Sequence, residues 1–241
     1  MAQPTIIGAG TNTKVYSDLS STDSEKEFSL AIPEEAQTMA IIVAIDDRQI
    51  DVQITNLALT GVTGATKIIE ITMAPADDPY RTCKGAFFDL TNAGAATGTL
   101  TATLSGANSD PSFASVVCTD GYLESFVVTQ ERQFDAGVIT AHSGNMANNT
   151  MVYMMVSDGN LTSLSFSGTG KTDIYSSLRS DMSARGVSQA TTASDAKQIL
   201  YSGGPSGADG SDMTILFSSQ PNPFADINPT GDIISHDIIT N

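Results

Sequence analysis

The sequence predicts an all-β protein: a two-sheet antiparallel β-sandwich of jelly-roll type with an extended C-terminal arm. Three observations carry this expectation. Apolar residues recur with a period of two, the runs that hold them are short, and turn-forming residues separate those runs. Composition agrees, because 40% of the 241 residues are hydrophobic and only 16% charged, enough apolar surface for a sizeable core. The apolar supply is Ile, Val, Leu, Ala and Met, with no Trp, and Thr, Ser, Gly and Asn fill much of the rest. That mixture suits strands joined by turns.

Along the chain, Glu27-Phe28-Ser29-Leu30-Ala31-Ile32 alternates, with one face on a core and one in water. Met39 to Ile45 is apolar at every position and belongs in the middle of a sheet covered twice, by its partner sheet and by a second cover. That second cover is either a loop or another protein chain. Thr99 to Ser105 alternates again, apolar at even positions and hydroxyl-bearing at odd ones. Tyr122 to Val128 and Met151 to Val156 read as apolar on both faces, and Leu161 to Phe166 alternates.

Turn signals stand between these runs at Asp46-Asp47, Asp77-Asp78-Pro79, Asn92-Ala93-Gly94, Asp120-Gly121, Asp158-Gly159-Asn160 and Gly203 to Gly207. Only Thr172 to Arg185 and Ala193 to Tyr201 are compatible with helix, and both are short. Residues 1–220 are expected to form a single sandwich with a short N-terminal extension. The remainder, 221–241, has three prolines and no sustained period, and reads as an extended arm that a neighbouring subunit would hold.

Charge narrows the partners. Lys and Arg total 11 against 27 Asp and Glu, a net charge of −16 spread along the chain. Such a surface repels phosphate, so neither nucleic acid nor an anionic membrane is an expected partner. After Arg185 the basic residues reduce to Lys197, while Asp195, Asp209, Asp212, Asp226, Asp232 and Asp237 accumulate. The first residues lack the basic start and apolar run of a secretory leader, and no stretch approaches the roughly 20 apolar residues of a membrane helix. Synthesis and folding in a cytoplasm are therefore expected. Cys83 and Cys118 lack CxxC spacing and read as two buried thiols.

Each motif that might carry chemistry departs from what the chemistry needs. Gly168-Thr169-Gly170-Lys171-Thr172 ends like a phosphate-binding loop, but Ser165 stands where the first glycine belongs and Asp173 would meet the phosphate charge. The expectation is a Gly-rich hairpin turn carrying an exposed Lys171. A Ser-His-Asp arrangement would have to use His142 beside Ser143-Gly144-Asn145, without a G-x-S-x-G elbow; His236 lies in the arm. Zinc would need ligands from two Cys and two His that are far apart. Calcium has candidate carboxylates in Asp46-Asp47 and in Asp209-Gly210-Ser211-Asp212, neither with the twelve-residue loop pattern. Sugar rings need aromatic platforms, and six Tyr without Trp make a thin one. No catalytic residue, cofactor site or metal site is therefore expected.

The ordered series AIPEEAQTMAIIVAI, ITNLALTGVTGATKI, GAFFDLTNAGAATGTLTATLSG and ASVVCTDGYLESF resembles a broad group of jelly-roll, concanavalin-like β-sandwich virion proteins encoded by bacteriophages. The pattern includes a Leu-Thr step into a turn at Leu59-Thr60-Gly61, and a strand like T-x-T-V-T-L-S-G at Thr99 to Gly106. A later Gly-rich step matches Gly168 to Tyr175. The likeness spans residues 28–220. Phe87-Phe88 stand where tryptophan is common in the group, and the arm after Pro221 has no counterpart. The resemblance implies a non-enzymatic virion structural protein, such as a capsid decoration or cement protein. Its implied partners are copies of itself and a major capsid or other virion protein. A tail- or fibre-associated module that binds a receptor or glycan is the alternative, with Tyr201 to Gly207 or Asn145 to Asn149 as its loops.

Overall fold

The computed structural model describes residues 3–7, 14–16, 24–46, 52–73, 81–108, 112–133, 136–140, 148–157, 163–178, 183–190, 198–204, 209–220, 226–227 and 233–234. The strands of the first half are β1 Ile6–Ile7, β2 Lys14–Tyr16, β3 Glu25–Ile32, β4 Thr38–Asp46, β5 Ile54–Thr60, β6 Thr66–Thr72, β7 Arg81–Asp89, β8 Ala96–Leu104 and β9 Ser112–Thr119. Those of the second half are β10 Tyr122–Gln133, β11 Ala136–Thr140, β12 Thr150–Ser157, β13 Ser165–Ser167, β14 Lys171–Leu178, β15 Ser183–Ala190, β16 Gln198–Ser202 and β17 Asp209–Ser218. Short strands β18 Asp226–Ile227 and β19 Ile233–Ile234 follow. Every pairing among the described residues is antiparallel.

Among the described residues, all strands but β18 and β19 form four stacked sheets rather than the expected two. Sheet I is β3-β8-β5, and sheet II is β9-β4-β7-β6 with β1 and β2 both on the outer side of β9. Sheet III is β10-β17-β12-β15-β14, and sheet IV is β11-β16-β13. The first core lies between I and II, where Phe28, Leu30 and Ile32 meet Met39, Ile41, Val43 and Phe88. Between II and III a second core joins Ala40, Ile42, Ala44 and Phe87 to Val152, Met154, Met213, Ile215 and Phe217. The third, between III and IV, packs Met151, Tyr153 and Met155 on Phe166, Ile199 and Tyr201.

This stack accounts for the doubly apolar runs. In β4 the odd residues face sheet I and the even ones sheet III, and in β12 the odd ones face sheet IV and the even ones sheet II. The second cover of both strands is thus neither a loop nor another chain but another sheet of the same chain. Tyr122 to Val128 is different: β10 is an edge strand, and its Val127 is exposed. Cys83 faces sheet III while Cys118 faces sheet I, so the two thiols lie on opposite faces of sheet II, both buried and not disulfide-bonded.

A second regularity concerns order. The first half runs β2-β9-β4-β7-β6 over β3-β8-β5, and the second runs β10-β17-β12-β15-β14 over β11-β16-β13. Each strand of the second half occupies the place of the strand eight numbers earlier. The sequence is folded as one pattern used twice, with the larger sheet of each half facing that of the other.

The two segments compatible with helix are strands instead. Thr172 to Arg185 falls on β14 and β15, and the described part of Ala193 to Tyr201 is β16; residues 193–197 lie outside the described residues. Neither segment has an apolar stripe at helical spacing, whereas β15 is inserted between β12 and β14 and satisfies its backbone on both sides. The Tyr175 ring lies against Gly186 across that ladder, where no side chain could stand. Of the arm, β18 and β19 pair with each other as a small antiparallel unit.

Candidate functional site

The Gly-rich turn links two sheets. β13 pairs with β16 in sheet IV, and β14 pairs with β15 in sheet III, so Gly168 to Gly170 carries the chain from one layer to the next. The expected hairpin is corrected accordingly, since its flanking strands do not pair with each other. Gly170 has φ 72° and the Lys171 N–H donates to Gly168 O at 3.3 Å, a tight turn that favours glycine. Lys171 Nζ lies 2.9 Å from Asp173 Oδ1 and 3.0 Å from Oδ2, so its charge is spent on a neighbour two residues on. A strand begins at Lys171, where a phosphate loop needs a helix N-terminus.

Beneath the turn, Gln189 Nε2 donates to Thr169 O at 2.6 Å. Arg185 donates to Leu164 O and stacks 5.1 Å from the Phe166 ring centroid. These contacts brace the crossover between sheets III and IV.

The acidic candidates sit differently from expectation. Asp209-Gly210-Ser211-Asp212 is the start of β17, not a loop, and Asp212 is buried. Ser211 Oγ hydrogen-bonds Met73 O at 2.8 Å and Gln130 O at 2.9 Å, which ties β17 to the end of β6 and to β10. Asp46 ends β4, and Asp47 lies outside the described residues, as do His142, His236 and Ser143 to Asn145. No group of three or more His, Cys, Asp or Glu comes together among the described residues. Nor is any helix among them long and apolar enough to cross a membrane. Tyr201, named for a glycan loop, is buried in the core between sheets III and IV and offers no platform to a sugar. Of the other loop, Asn148 is exposed and Asn149 buried.

Two polar clusters were not evident in the sequence. Glu70 on β6 accepts from Lys67 Nζ and Lys84 Nζ, each at 2.7 Å, and from the Leu57 N–H at 2.8 Å. Lys67 also reaches Asn56 Oδ1 and Leu57 O, both at 2.9 Å, so the cluster pins β5 of sheet I to the edge of sheet II. Burial raises the Glu70 carboxyl, but the lysine and backbone donors outweigh it and hold the group below its ordinary value. Residues three apart on a flat strand face opposite ways. Here Ile68 is an extra residue in β6, and it turns Lys67 and Glu70 to the same side.

The second cluster is a clasp at the junction of the halves. Thr5 donates from its N–H and hydroxyl to the Asp120 carboxylate at 2.6 and 2.8 Å, and Thr119 Oγ1 donates to Thr5 O at 2.8 Å. From the second half, Thr150 Oγ1 donates to Pro4 O at 2.5 Å, while Gln3 Nε2 reaches Asn149 O at 2.7 Å. Residues 3–7 therefore bridge sheet II and sheet III beside the Asp120-Gly121 turn that connects them.

Edges complete the picture. Each register shift among the described residues lies on an edge strand: β5, β6, β10 and β14. On β3, another edge, Lys26 points inward and its ammonium donates to Asn108 O at 2.7 Å. Bulges and inward charges discourage edge-to-edge pairing. No protein-family model and no curated protein matches this chain. Among solved structures, the crystal structure of the STIV MCP aligns with 90% of this chain and 96% of its own, at 9% identity and a TM-score of 0.24, a likeness that decides neither fold nor function.

Proposed function

We propose that this chain is a non-enzymatic structural protein of a virion that stabilises the shell by contacts with copies of itself and with a shell protein, as decoration or cement. The observation that supports this most is the repeated strand order. Read as eight-strand jelly rolls, the two halves follow one path, and jelly-roll sandwiches are a recurrent architecture of capsid domains. Fusing two of them through their larger sheets makes a block with three internal cores, a stiff unit suited to bearing load. The net charge of −16 suits the outer side of a shell better than the side facing packaged nucleic acid. Stabilisation would come from surface buried across subunits, which adds to particle stability by mass action.

The test is incorporation. Gradient-purified particles should contain the chain at fixed stoichiometry, and a chain ending at residue 220 should keep its β circular dichroism yet be lost from particles. Absence of the intact chain from particles removes the structural role, whereas unchanged incorporation of the shortened chain removes the arm from the mechanism.

A further inference from the structure

We infer that the outer face of sheet IV is a contact between two copies of this chain. The inference rests on the structural role proposed above and names the surface that would serve it. Three other kinds of surface are already committed. The inner faces of all four sheets are filled by the chain's own cores. Edge strands β5, β6, β10 and β14 are bulged, and β3 carries inward Lys26. The outer face of sheet I is polar and acidic, with exposed Glu25, Glu27 and Ser29 on β3 beside the half-buried Thr99, Thr101 and Thr103 of β8.

Sheet IV differs although it holds the equivalent place in the second half. Its described outward residues are Val138, Ser165, Ser167, Gln198, Leu200 and Ser202, none of them charged. Val138 and Leu200 are directly opposed across the β11–β16 ladder and are 49% and 46% exposed, with Ser167 completing the row. Two chains of charge −16 repel wherever acidic surfaces meet, so they approach at least cost where neither carries charge. Around a twofold axis, such a face is complementary to itself, apolar pair on apolar pair. Sheet-on-sheet packing is also the mode by which this chain joins its own halves.

Two strands of five residues and one of three, spaced about 4.8 Å apart with about 3.3 Å per residue, give a face of roughly 200 Å². That is well under the roughly 800 Å² per partner of a stable pair, so the contact is weak in isolation and cumulative in an array.

Sedimentation of the full chain from about 10 μM to about 1 mM tests this, in low salt and at about 0.5 M salt. Expected is reversible dimerisation that strengthens with salt, and a dissociation constant at least tenfold higher for Leu200→Lys and for Val138→Lys. A chain that remains monomeric throughout, or one whose dimer survives both lysine variants, overturns the inference. Particle incorporation of the same variants is scored separately. Variants incorporated normally by a chain that never dimerises would refute this contact and leave the structural role intact.

Discussion

Replacing Ile41 with alanine and, in a separate protein, Ile42 with alanine probes the layered architecture at its centre. The two residues are neighbours on β4, fully buried, and face opposite cores, Ile41 toward sheet I and Ile42 toward sheet III. Each substitution removes three carbons from a packed interior, a transfer loss of about 2.4 kcal/mol at about 0.8 kcal/mol per carbon. The cavity left between rigid sheets raises the total to about 3–4 kcal/mol. With a urea m-value of about 2–3 kcal/mol/M, the midpoint should fall by about 1–2 M. Thermal midpoints should fall by about 6–16 °C for a chain of this size. Ile68→Ala, at a half-exposed bulge, is the control and should cost less than about 1 kcal/mol. In a two-sheet sandwich only one of the two β4 substitutions would be severe. A cost under about 1 kcal/mol for Ile42→Ala would show that sheet III does not cover sheet II, and the four-layer account would fail.

Two further outcomes are expected. Glu70→Gln should lower stability at neutral pH by about 1–2 kcal/mol, because Lys84 and Lys67 lose a charged acceptor. The folded carboxyl titrates below its ordinary value of 4.5, so its contribution is complete above that pH and disappears as pH falls through the lower folded value. Wild type and variant should therefore converge in acid, and a gap that persists at low pH would contradict the ionic origin. Gly121→Ala would place a methyl 2.6 Å from Pro4 Cβ and 2.9 Å from Ser218 O, which should displace the clasp at a cost of about 1–3 kcal/mol. Amide exchange should then quicken at Thr5 and Asp120; unchanged protection at both would show that the clasp does not depend on this fit.

Much of the local structure was legible because backbone geometry imprints itself on short windows. The alternation in β3 and β8 reported one buried face, and the unbroken apolar runs in β4 and β12 reported two. Likewise Ser165 and Asp173 were sufficient to separate the Gly-rich turn from a phosphate loop. Periodicity counts buried faces, however, without naming what buries them. That Met39 to Ile45 is covered by two sheets of its own chain depends on pairings as distant as Met39 with Cys118 and on packing against the second half of the chain, which no window contains. The same holds for β14 and β15, whose weak local preference was settled by pairing, β15 with β12 on one side and with β14 on the other. It holds also for Lys67 and Glu70, which one bulged residue brings to the same face. The sequence by itself determined that β3, β4, β8 and β12 are strands and how many of their faces are hidden, while it misjudged β14, β15 and β16 as compatible with helix and the edge strand β10 as covered on both faces. Only tertiary structure decided that one eight-strand path is used twice and stacked into four layers, because long-range pairing selects partners by the fit of whole faces rather than by local pattern.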